Sequence, residues 1–144
     1  ALKGLLWLSY RLPITWVRSA GRGLGWFVYQ ADGRRRRLTE RNVALAYPQL
    51  SPESQNRLVR EVLRETGALA VEMGHVWRAP WAHTSSLIES SEGSESVQAA
   101  LASGSGVIVL GPHLGNWEVL GLHLATIGKT VALFEPPEIT EIGD

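Results

Sequence analysis

Residues 106–118 read Gly-Val-Ile-Val-Leu-Gly-Pro-His-Leu-Gly-Asn-Trp-Glu, and this stretch decides the fold class. Its residues 107–110 form a short, β-branched, continuously apolar run, the pattern of a strand buried on both faces. Gly111-Pro112-His113-Leu114-Gly115 follows as a turn. From Asn116 onward, Trp117, Leu120, Leu124 and Ile127 share one helical face until Gly128 closes the helix. Residues 130–134 read as a second buried strand, and residues 94–103 as a short helix ahead of the first, with Ser94 as its cap. The order helix, strand, turn, helix, strand predicts a parallel βαβ unit and the class α/β.

Outward on the N-terminal side the pattern is helical. Residues 3–12 and 14–31 read as two helices broken at Pro13, the second made less regular by Gly21, Gly23 and Gly25, since each glycine costs about 1 kcal/mol against alanine. The run Arg34-Arg35-Arg36-Arg37 leads into a short helix over 39–46, with Thr39 at its N-cap and Pro48 beyond its end. Ser51-Pro52-Glu53 is a helix start with cap, first-turn proline and first-turn acid in order. Leu58, Val62, Leu69, Met73 and Val76 then mark the apolar face of a helix over 52–77, with Glu61, Arg64, Glu65 and Glu72 on its solvated side.

In open α/β sheets, sites form where a strand's carboxyl end meets the following helix, so the turn after Leu110 is the place to look. His113 and Glu118 stand there with Gly115 between them, which lets the chain turn tightly and brings the imidazole toward the carboxylate. A carboxylate beside an imidazole fixes its tautomer and stabilises the imidazolium, making the ring a usable general base. The helix N-terminus adds amide N–H groups able to stabilise an oxyanion. The same spacing also suits a structural histidine beside a helix-capping carboxylate. Asn116 braces the turn or caps the helix. His75, His83 and His123 have no metal-ligand spacing, and His123 reads as a packing or surface residue. Neither a dinucleotide fingerprint, a phosphate-binding loop nor a Gly-x-Ser-x-Gly elbow is present, so no cofactor and no metal are expected.

The chain has 144 residues, no cysteine and a formal net charge of zero. Lacking cysteine, it has no disulfide, thiolate metal site or thiol nucleophile. The zero charge conceals an asymmetry. Residues 1–41 carry nine basic groups against two acidic ones, a net of +7, while residues 42–144 carry five against twelve, a net of −7. Three of the six tryptophans, Trp7, Trp16 and Trp26, lie in the basic part among Arg11, Arg18 and Arg22. Charges interrupt its apolar stretches too often for a spanning helix, which needs roughly 20 mostly apolar residues. Residues 1–41 are therefore expected to lie at an anionic membrane surface, with Trp7, Trp16 and Trp26 at the acyl boundary and Arg11, Arg18 and Arg22 on lipid phosphates. An ordinary packing helix with snorkelling arginines is the competing reading. A nucleic-acid partner is not expected, because no recognition motif or stacking platform accompanies residues 34–37.

The stretch 106–118 closely resembles the first motif of the lipid A biosynthesis (late, secondary) acyltransferases, a branch of the lysophospholipid acyltransferase-like superfamily marked by His-x4-Asp/Glu. Arg41-Asn42-Val43-Ala44-Leu45-Ala46-Tyr47-Pro48 resembles the family's Arg-Asn-Leu…Pro segment. Val131-Ala132-Leu133-Phe134-Glu135-Pro136-Pro137 resembles its Tyr-Arg-Pro-Pro segment, with Glu135 where a basic residue is frequent. The resemblance implies the N-terminal part of a mixed acyltransferase sheet flanked by helices, over 42–144, incomplete at its C-terminal side. It implies transfer of an acyl chain from an acyl-carrier-protein thioester to a hydroxyl of a lipid A precursor, at the cytoplasmic face of an inner membrane. His113 would be the base, Glu118 its partner, and Gly115 and Asn116 would line the substrate. Another phospholipid or glycolipid acceptor, or a membrane-surface fragment without turnover, stays open.

Overall fold

A computed structural model describes residues 2–133. Seven helices account for the regular structure among these residues: α1 (Leu2–Arg11), α2 (Ile14–Ala31), α3 (Gly33–Ala46), α4 (Pro52–Trp77), α5 (Trp81–Ser85), α6 (Ser94–Ala102) and α7 (Trp117–Ile127). They fall into two compact units, Lys3–Arg78 and the residues from Ala79 onward.

The first unit is built around a close crossing of α2 and α4. Gly21 and Gly25 lie one helical turn apart on α2 and face Gly67 on α4. A methyl group at Gly21 would fall within 2.6 Å of Ala68 Cα, and one at Gly25 within 2.6 Å of Arg64 Cα. Backbone therefore lies on backbone, and the glycines are the reason α2 docks. The expected irregularity of α2 is corrected: it runs unbroken from Ile14 to Ala31 because packing against α4 outweighs propensity. Beside the crossing, Tyr29, Val43, Val59 and Leu63 form the apolar core, with Val28 and Leu58 against it. The Tyr29 hydroxyl donates to Asn56 Oδ1 at 2.8 Å, which satisfies the polar end of a buried ring. Gly74 on α4 repeats the small-residue device, receiving Ser9 and the Leu6 carbonyl of α1.

Helix ends follow side-chain chemistry. Ser51 caps α4 as expected, accepting from the Ser54 amide at 3.3 Å. The start of α3 differs from expectation. Asp32 caps it, accepting from the Arg34 and Arg35 amides, so the helix begins at Gly33 and takes in the whole arginine run, with Thr39 inside it. The backbone hydrogen bond from Arg35 holds the Asp32 carboxyl below its ordinary range. In α6, Gly93 with a positive φ of 84° occupies the cap position in place of Ser94.

The acidic face of α4 is a packing face in part. Glu72 is buried, and Arg18 Nε reaches its Oε2 at 3.6 Å. Glu65 takes Arg22 through Nε at 2.7 Å and Nη2 at 3.3 Å, with Arg18 Nη2 at 3.6 Å. The Arg22 hydrogen bonds are the chief cause holding the Glu65 carboxyl below its usual range, with partial burial opposing them. A carboxyl whose folded-state pKa is depressed contributes stability above its unfolded pKa and loses it as pH falls through the folded one. Unit stability should accordingly fall on acidification, and Glu65→Gln should flatten that dependence in urea titrations at several pH values. The pair is exposed, so the effect at neutral pH should stay below about 1 kcal/mol.

The α/β class is overturned: no strand occurs among the described residues. A short apolar run becomes a strand only when a neighbour takes up its backbone N–H and C=O groups. Neither 107–110 nor 130–133 hydrogen-bonds to a neighbouring strand, and both runs stand in solvent, with Ile108 91% exposed and Leu110 and Val131 88% exposed. The β-branched pattern was a statement about burial, and burial is what these runs lack. Phe134, the last residue of the expected second strand, and the segment Glu135-Pro136-Pro137 lie outside the described residues.

Candidate functional site

In the second unit, α7 is the element that positions the candidate pair. Gly115 takes the left-handed conformation, with φ of 59°, and turns the chain into the helix two residues later. Glu118 then stands in the first turn of α7, where the helix dipole favours a carboxylate. Four residues before Trp117, His113 stacks its imidazole on the indole, with ring centroids 4.3 Å apart and planes inclined by 28°. This contact fixes the ring of a residue that otherwise sits in an exposed turn.

His113 and Glu118 line one open groove of about 810 Å³. Apolar side chains make most of its walls, among them Leu101 of α6, Ile108, Leu124 of α7 and Leu133. No hydrogen bond or ion pair joins the imidazole to the carboxylate; what brings them together is the shared groove. Asn116 holds the N-cap position of α7 without a side-chain bond to the helix amides, so the expected capping role is not taken up and α7 begins without a side-chain cap. Such uncapped amides are donors for an incoming anion.

His123, five residues past Glu118, serves packing. Its Nε2 lies 3.0 Å from Ser94 Oγ and 3.3 Å from Ser91 Oγ, and its ring centroid is 6.4 Å from that of Trp81. These contacts hold α7 to the start of α6 and to α5, a helix that the sequence pattern did not reveal. No cluster of metal-ligating side chains occurs among the described residues.

Of the residues expected at a membrane, Trp7, Trp16 and Trp26 are 53%, 68% and 51% exposed. Arg11 lies over the Trp7 ring at 4.8 Å. Arg18 and Arg22 turn toward α4 and its carboxylates. No helix among the described residues is long and apolar enough to cross a membrane.

Comparison with known proteins agrees with the motif. The chain matches the family described as bacterial lipid A biosynthesis acyltransferase over residues 1–142. A lipid A biosynthesis palmitoleoyltransferase of Escherichia coli (strain K12) is 27% identical over 133 residues, which cover 92% of this chain and 43% of that protein. A lipid A biosynthesis lauroyltransferase of the same strain is 27% identical over 116 residues, covering 81% of this chain and 38% of that one. The chain thus spans less than half the length of the curated relatives it matches. No solved structure matches it. With the family match running through the basic helices and the His113–Glu118 turn alike, the chain belongs to the bacterial lipid A biosynthesis acyltransferases.

Proposed function

We propose that the protein serves acyl transfer from an acyl-carrier-protein thioester to a hydroxyl of a lipid A precursor, at the cytoplasmic face of the inner membrane. One observation carries this reading: a histidine and a glutamate open onto a single groove whose other walls are mostly apolar. An apolar groove accommodates a fatty chain, and the polar pair marks the place where its reacting carbonyl would lie.

In this reaction His113 takes the proton of the acceptor hydroxyl as the oxygen attacks the thioester carbon. Glu118 balances the charge of the imidazolium. The N-terminal amides of α7 receive the developing oxyanion. Collapse of the tetrahedral species expels the thiolate, which recovers the proton from His113. The stack on Trp117 supports this role by limiting the ring's rotation, so less entropy is lost on reaching the reactive geometry. The relatives, a palmitoleoyltransferase and a lauroyltransferase, support an acyl substrate of fatty length. The exposed Trp7, Trp16 and Trp26 support contact with a membrane surface.

Release of free thiol from acyl carrier protein, followed with and without the lipid acceptor, tests the reading. Acceptor-dependent release is expected, and Glu118→Gln should slow it by about tenfold or more. Release at the same rate without acceptor, or unaffected by the substitution, would count against the assignment.

A further inference from the structure

Within the first unit an open cleft of about 430 Å³ lies between α2 and α4, lined by Ser19, Arg22, Gly23, Trp26 and Arg64. Its chemistry is uneven. Arg22 and Arg64 bring guanidinium groups, and Trp26, half exposed, adds an indole wall. Arg22 is held by Glu65 through Nε and Nη2, which pre-orients the fork and leaves Nη1 free of that carboxylate. Arg64 is exposed and forms none of the ion pairs seen on this face, all of which go to Arg18 and Arg22. The Ser19 hydroxyl donates back to the Thr15 carbonyl at 2.8 Å and so offers only its lone pairs at the rim. Gly23 opens the floor: a Cβ there would meet nothing within 4 Å. Arg18, Arg22 and Arg64 stand against Glu65 and Glu72, an excess of one positive charge.

Two guanidinium groups facing an open space bind a phosphate through charge-assisted hydrogen bonds. An indole on the other wall suits the carbon skeleton attached to that phosphate. We propose that this cleft is a binding site for the phosphate-bearing headgroup of an anionic lipid, with Arg64 and Arg22 on the phosphate and Trp26 against the skeleton. The inference rests on the membrane-surface part of the functional reading and is independent of the transfer chemistry at His113.

Sedimentation of the purified protein with phosphatidylcholine vesicles, with and without phosphatidylglycerol, provides the test. The quantity read is the preference for the anionic vesicle. The parent should prefer it. Arg64→Gln should lower the preference by about tenfold, and Gly23→Leu, which fills the cleft without changing any charge, should do the same. Arg60→Gln, on an exposed residue of α4 outside the cleft, should leave most of it. Gly23 has open space and leucine favours helix, so that variant should keep the fold, which circular dichroism checks. An unchanged preference in Gly23→Leu, or equal losses in Arg60→Gln and Arg64→Gln, would overturn the proposal in favour of diffuse attraction. Equal binding of the parent to both vesicles would overturn it while leaving the membrane reading intact; binding to neither would remove both. Release by inorganic phosphate, but not by chloride at the same ionic strength, would assign the cleft to the phosphate alone, and retention would assign it to the whole headgroup.

Discussion

Gly67→Leu should be among the most destabilising single changes in the first unit, costing about 3 kcal/mol or more. The position leaves no room for a side chain. Even a methyl group would approach the Gly25 amide nitrogen to 2.7 Å and the Gly25 Cα to 2.9 Å, and would lie closer still to the Gly21 carbonyl. These neighbours are backbone atoms of α2, so they cannot yield by changing a rotamer. The helices must separate, and separation strips contacts from Val17, Tyr29, Val59 and Leu63. Overpacking of an ordinary core costs about 1–3 kcal/mol, and a backbone-to-backbone crossing belongs at the upper end. Gly23→Ala is the matched control. It lies on α2, the other helix of the crossing, in open space and should be neutral or stabilising by about 0.5–1 kcal/mol. Urea unfolding followed by circular dichroism compares the two; equal midpoints would mean that the crossing is looser than described.

His113→Ala should lower acyl transfer by about 10²–10⁴-fold, the range over which a positioned general base contributes. The loss should fall on turnover and leave the fold unchanged, because the residue sits in an exposed turn and its side chain contacts the face of Trp117. An unaltered melting curve with a lost rate would separate chemistry from structure. A loss of rate accompanied by loss of helix content would instead assign His113 to holding α7.

The helices were legible because their signals are local. Ser51-Pro52-Glu53 starts α4 through chemistry confined to one turn, and Pro13 separates α1 from α2 for the same reason. What escaped depends on partners far away in the chain. Gly21, Gly25 and Gly67 read singly are helix weakeners; read together, a four-residue spacing of glycines facing another glycine is a contact surface. Likewise Arg18 and Arg22 are one turn apart on α2, and Glu65 and Glu72 two turns apart on α4. That complementarity was present in the sequence, but read separately the arginines looked membrane-facing and the glutamates solvent-facing.

Residues 107–110 teach the opposite lesson. Their composition announces a need for burial, and the sequence cannot show whether anything meets it. The motif that follows was legible in type and spacing, since His113, Gly115 and Glu118 each fill the place that turn chemistry predicts. The stack of His113 on Trp117 was not, although a four-residue separation beside a turn is the signal that could have suggested it.

The central claim is that His113 and Glu118 perform acyl transfer to a lipid hydroxyl. Mass spectrometry of a lipid A precursor, incubated with acyl-loaded carrier protein and the purified protein in detergent micelles, tests it most directly. The account predicts a mass gain of one acyl group with the parent protein and none with His113→Ala over the same interval. Equal gain with both, or no gain with the parent, would contradict it.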